Sequence, residues 1–130
     1  MAVARKTPIK RYRNIGIVAC LMLATGCNRV SQADARQLVE RYNKFVSEAY
    51  RRGDIKLVDS VVGPNEGRKL TGLIGVRLDL GITLDSQLLS LDVIGVEQKP
   101  NELFVRTKEK WSYRDRKIGS GEQVGQAVEG

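Results

Sequence analysis

The sequence predicts an α+β domain, with helices in its first half and an antiparallel sheet in its second. Two observations carry this. Ala35, Leu38, Val39, Tyr42, Phe45, Val46, Ala49 and Tyr50 recur at helical spacing over roughly four to five turns. Between Leu103 and Arg114 the period falls to two. Leu103, Val105, Thr107, Glu109, Trp111 and Tyr113 then share one face. Phe104, Arg106, Lys108, Lys110, Ser112 and Arg114 share the other. The first face is mostly apolar and aromatic, the second mostly cationic, as expected of a strand with one side on a core.

The elements follow in order. Ser31-Gln32-Ala33-Asp34 is a capping-box variant, in which the hydroxyl accepts from an early amide and the acid reaches back. It opens the long helix. Arg51 and Arg52 suit the negative end of that helix, and Gly53 suits its left-handed stop. Asp54 can cap a shorter helix through Ile55, Leu57, Val58 and Val61, which Gly63-Pro64 ends. From Glu66 to Gly81 two patterns coexist. Leu70, Leu73 and Ile74 have helical spacing, whereas Ile74, Val76, Leu78 and Leu80 alternate, which favours a strand at the end of the stretch. Leu88 to Glu97 reads as a strand, Lys99-Pro100-Asn101 as a turn, and Leu103 to Arg114 as the second arm of a hairpin. Arg114 to Ser120 reads as a polar loop, and Glu122 to Val128 as the start of a third strand. On this reading the C-terminal part of the sheet is incomplete, and its open edge invites another chain. Leu38, Tyr42, Phe45 and Val46 are expected to pack against Val105 and Trp111.

Ahead of the domain lies a leader. Arg5, Lys6, Lys10, Arg11 and Arg13 precede an apolar run from Ile15 to Ala24, and Leu23-Ala24-Thr25-Gly26-Cys27 follows. The run is about half the ~20 residues a membrane span needs, so the layout is that of an export signal. The last five residues resemble the bacterial lipobox, although Ala24 stands where Leu is usual. That resemblance implies a signal peptide over 1–26, a lipidated Cys27 with a short tether over 27–30, and a single domain over 31–130. It also implies a lipid anchor in the cell membrane or outer membrane, with the domain facing the periplasm. Ala24 and Gly26 are also compatible with cleavage by a general signal peptidase, without lipid.

Composition narrows the function. All 130 residues together carry 22 basic and 15 acidic residues, a net charge of +7. The five leader cations account for most of that excess, which removes the main support for nucleic-acid binding. There is no histidine, hence none of the commonest general base or metal ligand. Cys20 and Cys27 both fall in the leader region, so neither a thiol nucleophile nor a thiolate metal site is expected in the domain. No P-loop is present, and Gly72-Leu73-Ile74-Gly75 is too short for a dinucleotide fingerprint. No metal or cofactor is expected.

Three stretches resemble the nuclear transport factor two-like superfamily. They are Tyr42-Asn43-Lys44-Phe45-Val46 through Arg51-Arg52-Gly53-Asp54-Ile55, then Leu84-Asp85-Ser86-Gln87-Leu88-Leu89, and Val105-Arg106-Thr107. They are most similar to the branch with the C-terminal domain of the mitochondrial inner-membrane translocase's peripheral subunit. The resemblance implies that Glu66 to Leu80 is a third helix. It also implies a curved sheet that wraps the long helix and leaves a cone-shaped pocket. Members of the superfamily include isomerases, dehydratases, small-molecule binders and non-catalytic assembly modules.

Within that frame Tyr42, Glu109, Trp111 and Tyr113 are the candidate pocket residues. Glu109 could act as a base if an aromatic pocket raised its pKa. The plainer and favoured alternative is a glutamate paired with an arginine across the sheet. Arg106, Lys108, Lys110 and Arg114 form the candidate contact surface: a solvated outer face, a contact with anionic lipid, or a contact with an acidic protein. The expected function is non-catalytic binding or assembly at the envelope, with an envelope protein or a second copy as partner. The alternative is a small-molecule-binding or isomerase-like pocket protein using Glu109, Trp111 and Tyr113.

Overall fold

A computed structural model describes residues 12–17, 29–59 and 62–130. Cys27 lies outside the described residues. In chain order the elements are β1 (Tyr12–Ile17), α1 (Gln32–Arg52), α2 (Lys56–Asp59), α3 (Pro64–Asp79), β2 (Ile82–Lys99), β3 (Glu102–Lys117) and β4 (Gln123–Glu129). The fold class is α+β, with the helices laid against an open antiparallel sheet.

The ends of α1 are fixed as the sequence suggests. Ser31 Oγ accepts from the Asp34 amide at 3.1 Å and donates to Asp34 Oδ2 at 2.8 Å. At the other end Gly53 adopts φ 65° and donates its amide to the Ala49 carbonyl. A Cβ at Gly53 would lie 2.6 Å from a Leu78 methyl, so this turn also sets how closely α3 approaches. Arg51 and Arg52 both close on Glu48 at 2.5 Å. The Arg51 hydrogen bond leads in lowering the Glu48 carboxyl to about pH 2. Asp54 Oδ1 accepts from the Lys56 amide at 3.0 Å and so begins α2.

Residues 64–79 are helical, which resolves the competing periodicities in favour of α3. Pro64 sits in its first turn after Gly63, where a missing amide hydrogen costs nothing. Leu70 and Ile74 face inward, and Leu73, Val76 and Leu80 are exposed. The alternation of Val76, Leu78 and Leu80 therefore reflects a second apolar flank of the helix, not a strand.

The hairpin of β2 and β3 is the backbone of the sheet. β2 pairs with β3 from Ile82↔Lys117 to Lys99↔Glu102. The strands are longer than the sequence reading: β3 runs through Arg114-Asp115-Arg116, and the polar loop begins only at Ile118. Two irregularities interrupt β2, between Leu88 and Ser90 and between Val93 and Gly95. Each inserts one residue and shifts the inward phase. The inward positions are Leu84, Ser86 and Leu88, then Leu91 and Val93, then Val96. The inserted Leu89 and Ile94 are exposed at 42% and 46%. Bulges bend and twist the strand that carries them. Here they curl β2 over α1, the element with which it shares most of its helix contacts.

The opposite edge of β3 is divided between two strands. β1 pairs antiparallel from Tyr12↔Lys108 to Ile17↔Leu103. β4 pairs from Ser112↔Glu129 to Arg116↔Gln123. Residues 12–17, which the sequence reading assigns to a leader, therefore form a strand of the sheet. Extended backbone suits Tyr12, Ile15 and Ile17, and the half of β3 that they meet has no other partner on that side among the described residues. β4 is a full seven-residue strand, exposed throughout. It completes the second half of the edge that the sequence reading left unfinished.

The core lies between α1, α3 and the hairpin. Ala35, Val39, Tyr42, Val46 and Ala49 come from α1, Leu70 and Ile74 from α3, and Leu91, Leu103 and Val105 from the sheet. Phe45 is not among them: it is 37% exposed. At about 100° per residue it sits roughly 80° from the centre of the buried stripe, on its margin. Leu38 is half-buried against the core.

Candidate functional site: a groove between α3 and the end of the sheet

The candidate pocket residues divide into two groups, and β3 positions both. Thr107, Glu109 and Trp111 follow one another along its inner face. Glu109 Oε1 accepts from Thr107 Oγ1 at 3.0 Å and from Asn43 Nδ2 at 3.1 Å. Its other oxygen accepts from Trp111 Nε1 at 2.8 Å. Thr107 is fully buried and Asn43 is 3% exposed, so this carboxylate pins the middle of α1 to the sheet. The expected arginine partner is replaced by three uncharged donors. A carboxylate whose oxygens already accept from three fixed groups is a structural acceptor.

Tyr42 is buried in the core on α1. Trp111 and Tyr113 stack with ring centroids 6.3 Å apart and planes 19° from parallel. That pair leads outward from the Glu109 cluster into open space. Tyr113 forms a wall of a groove of about 380 Å³, lined also by Arg77, Leu84, Asp115, Gln126 and Val128. The groove lies between the last turns of α3 and the paired ends of β3 and β4. An Arg77–Asp115 ion pair crosses it and ties α3 to the sheet. Beside it Leu73, Val76 and Leu80 on α3 and Val124 and Val128 on β4 expose apolar surface. The arrangement offers an open groove of mixed character, in which Leu84 and Val128 stand beside one guanidinium–carboxylate pair, one amide and one phenol.

Of the four candidate residues only Tyr113 reaches this groove. The sequence pattern singles out none of Arg77, Leu84, Asp115, Gln126 and Val128 as site residues, and it places Asp115 in a loop. The Arg77–Asp115 pair joins residues 38 apart, which no local pattern encodes. The exposed valines of the last strand were the one available signal.

The cationic stripe is broken up. Arg106, Lys108 and Lys110 are exposed and Arg114 is half-buried. Lys110 pairs with Glu129 of β4 at 3.0 Å. Arg106 lies along Gly95, with its guanidinium carbon 3.9 Å from where a Cβ would stand. Among the described residues no three His, Cys, Asp or Glu side chains cluster as metal ligands would. Among them, too, no helix is long and apolar enough to cross a membrane.

With the hairpin, the bulged strand and the three helices placed, a solved structure matches over most of the chain. The fold is similar to that of the intermembrane-space region of the chloroplast protein ARC6. The TM-score is 0.63 at 18% identity, over 78% of this chain and 82% of that one. Identity at this level speaks for the fold alone. No protein-family model matches the chain. No curated protein matches its sequence.

Proposed function

We propose that the chain is a lipid-anchored protein of the bacterial cell envelope whose domain binds or assembles with a partner and performs no catalysis. The lipobox-like Leu23-Ala24-Thr25-Gly26-Cys27 supports the anchor. The groove between α3 and the β3–β4 end supports the binding role, and it is the observation that carries the reading. It combines apolar contacts from Leu84 and Val128 with the Arg77–Asp115 pair that crosses it. The engaged state of Glu109 weighs against the isomerase-like alternative, because the candidate base serves to join α1 to β3. In this reading the nuclear transport factor two-like architecture acts as a scaffold for docking.

Placement of the anchor agrees with such a role. The Val30 amide donates to Gln98 Oε1 at 3.1 Å, so the chain leaves the tether at the β2–β3 turn end of the sheet. The groove lies at the other end of β3 and would face away from the bilayer.

Labelled palmitate should enter the wild-type protein, and Cys27→Ala should abolish the label and leave unprocessed precursor. Normal cleavage of that variant, with no label in the wild type, would refute the anchor. For the binding role, a photocrosslinking residue at Leu80 or Val128 should capture a discrete envelope partner, whereas one at the exposed Asp92 should not. Equal labelling at all three sites would remove the groove from the argument.

A further inference from the structure

The half of β3 paired with β1 has a consequence once the leader is removed. Cleavage before Cys27, as proposed above, takes away residues 12–17 and leaves the outer edge of β3 from Glu102 to Lys108 unpaired. The other edges are better protected. β2 is interrupted twice by bulges, and two of its carbonyls, those of Leu91 and Val93, already accept from Arg36 and Gln32 of α1. β4 is short and irregular around Gly125. Blunting of this kind prevents edge-to-edge pairing. The vacated stretch of β3 has neither a bulge nor a carbonyl taken by a helix side chain, and the seat accepts an antiparallel strand in the uncleaved chain.

We propose that in the processed protein this seat is filled by the same seat of a second copy, in a two-fold antiparallel pairing centred on Val105. The strand seated there in the uncleaved chain gives the length of the seat. β1 occupies Leu103 to Lys108. β3 begins just before, at Glu102, after the Pro100–Asn101 turn. Centring on Val105 pairs all six of those positions and Glu102 as well.

That register is complementary to itself. On the inner face Val105 meets its own counterpart, and Leu103 meets Thr107 of the second copy, so the buried positions continue one another. On the outer face Glu102 stands opposite Lys108 of the second copy, and Phe104 opposite Arg106. Both are favourable directly opposed pairs, a carboxylate with an ammonium and a ring with a guanidinium. A shift centring on Arg106 sets two guanidinium groups against each other. One centring on Phe104 leaves Lys108 unpaired. The partner inferred is therefore another copy of this chain, joined through its backbone and sorted by four outer side chains. Such an isologous interface closes on itself and does not propagate into a fibre.

The test uses the processed lipoprotein extracted from membranes in excess detergent, with the mass of the intact chain read alongside sedimentation at several concentrations. A mass that begins at lipidated Cys27, together with a concentration-dependent dimer, is the expected result. Glu102→Lys alone and Lys108→Glu alone should each weaken dimerisation roughly tenfold, and the double exchange should restore it. A processed protein that stays monomeric would overturn the proposal and leave the lipid anchor standing. A dimer indifferent to Lys108→Glu would overturn the pairing. A mass that retains residues 12–17 would overturn the cleavage, and the proposal with it, and is recognised by mass alone.

Discussion

Glu48 shows how single residues govern the end of a helix. Two arginines, one three and one four positions on, converge on one carboxylate beside the negative end of α1. Their hydrogen bonds, that of Arg51 first, hold its pKa near 2 against an ordinary value of 4.5. A carboxylate depressed in the folded state stabilises it above the unfolded pKa, and that contribution fades as pH falls through the folded value. In an NMR titration the Glu48 side-chain carbon should therefore turn over near pH 2, and Arg51→Gln should move the midpoint up toward 4.5. Glu109 makes a different case, since its neighbours are neutral. Glu109→Ala would strand donors on Asn43, Thr107 and Trp111 and should cost about 1–3 kcal/mol in urea unfolding. An unchanged midpoint would mean that the cluster does not bind α1 to the sheet. The sequence marked Glu109, Trp111 and Tyr113 as one group because they alternate along a strand. It could not show Asn43, which reaches them from 66 residues away.

At the scale of elements, local signals carried the helices well and the long strand poorly. Ser31, Asp34 and Gly53 bound α1 where cap chemistry placed them. β2 resisted because Leu88-Leu89-Ser90-Leu91 and Val93-Ile94-Gly95-Val96 look uniformly apolar, and nothing in composition tells an inserted residue from a core one. Pairing decides it, through a partner strand that lies further along the chain. The consequence can be measured. Leu89→Ser should change stability by no more than about 0.5 kcal/mol, because the side chain points outward. Deleting Leu89 should keep Leu91 and Val93 on the α1 face, because it restores plain alternation between Leu88 and Leu91, but it should lower the melting temperature by removing a bend that curls β2 over α1. A folded deletion variant with a native melting curve would show that the bulge has no part in the curvature. Phe45 belongs to the same lesson. It repeats at helical spacing, yet the sheet covers a narrower stripe of α1 than the spacing allows.

Seen whole, the molecule is a rigid hairpin and helix with a looser flank. α1 and β2 share an extensive contact, while α3 meets the sheet over much less of its length. The Arg77–Asp115 pair is the polar tie across that flank. Both members are about one-third exposed, so Asp115→Asn should cost no more than about 1 kcal/mol globally. It should nevertheless speed amide exchange in the last turns of α3 more than in α1. Uniform exchange rates in the two helices would argue against a hinged flank. The sequence foresaw the α+β class, the order of helices before strands and the hairpin turn. The groove escaped it, being made by residues from four separate elements with no shared local pattern.

The pairing of β1 with β3 also sets an order of events in time. The two strands are the most distant partners in the sheet, about 90 residues apart, and ribosomes add roughly 5–20 residues per second. Several seconds therefore pass after residues 12–17 are made before Leu103 to Lys108 exists to receive them. Throughout that interval residues 12–17 lack their place in the sheet and stay open to any other contact. The delay comes from the order of the chain itself.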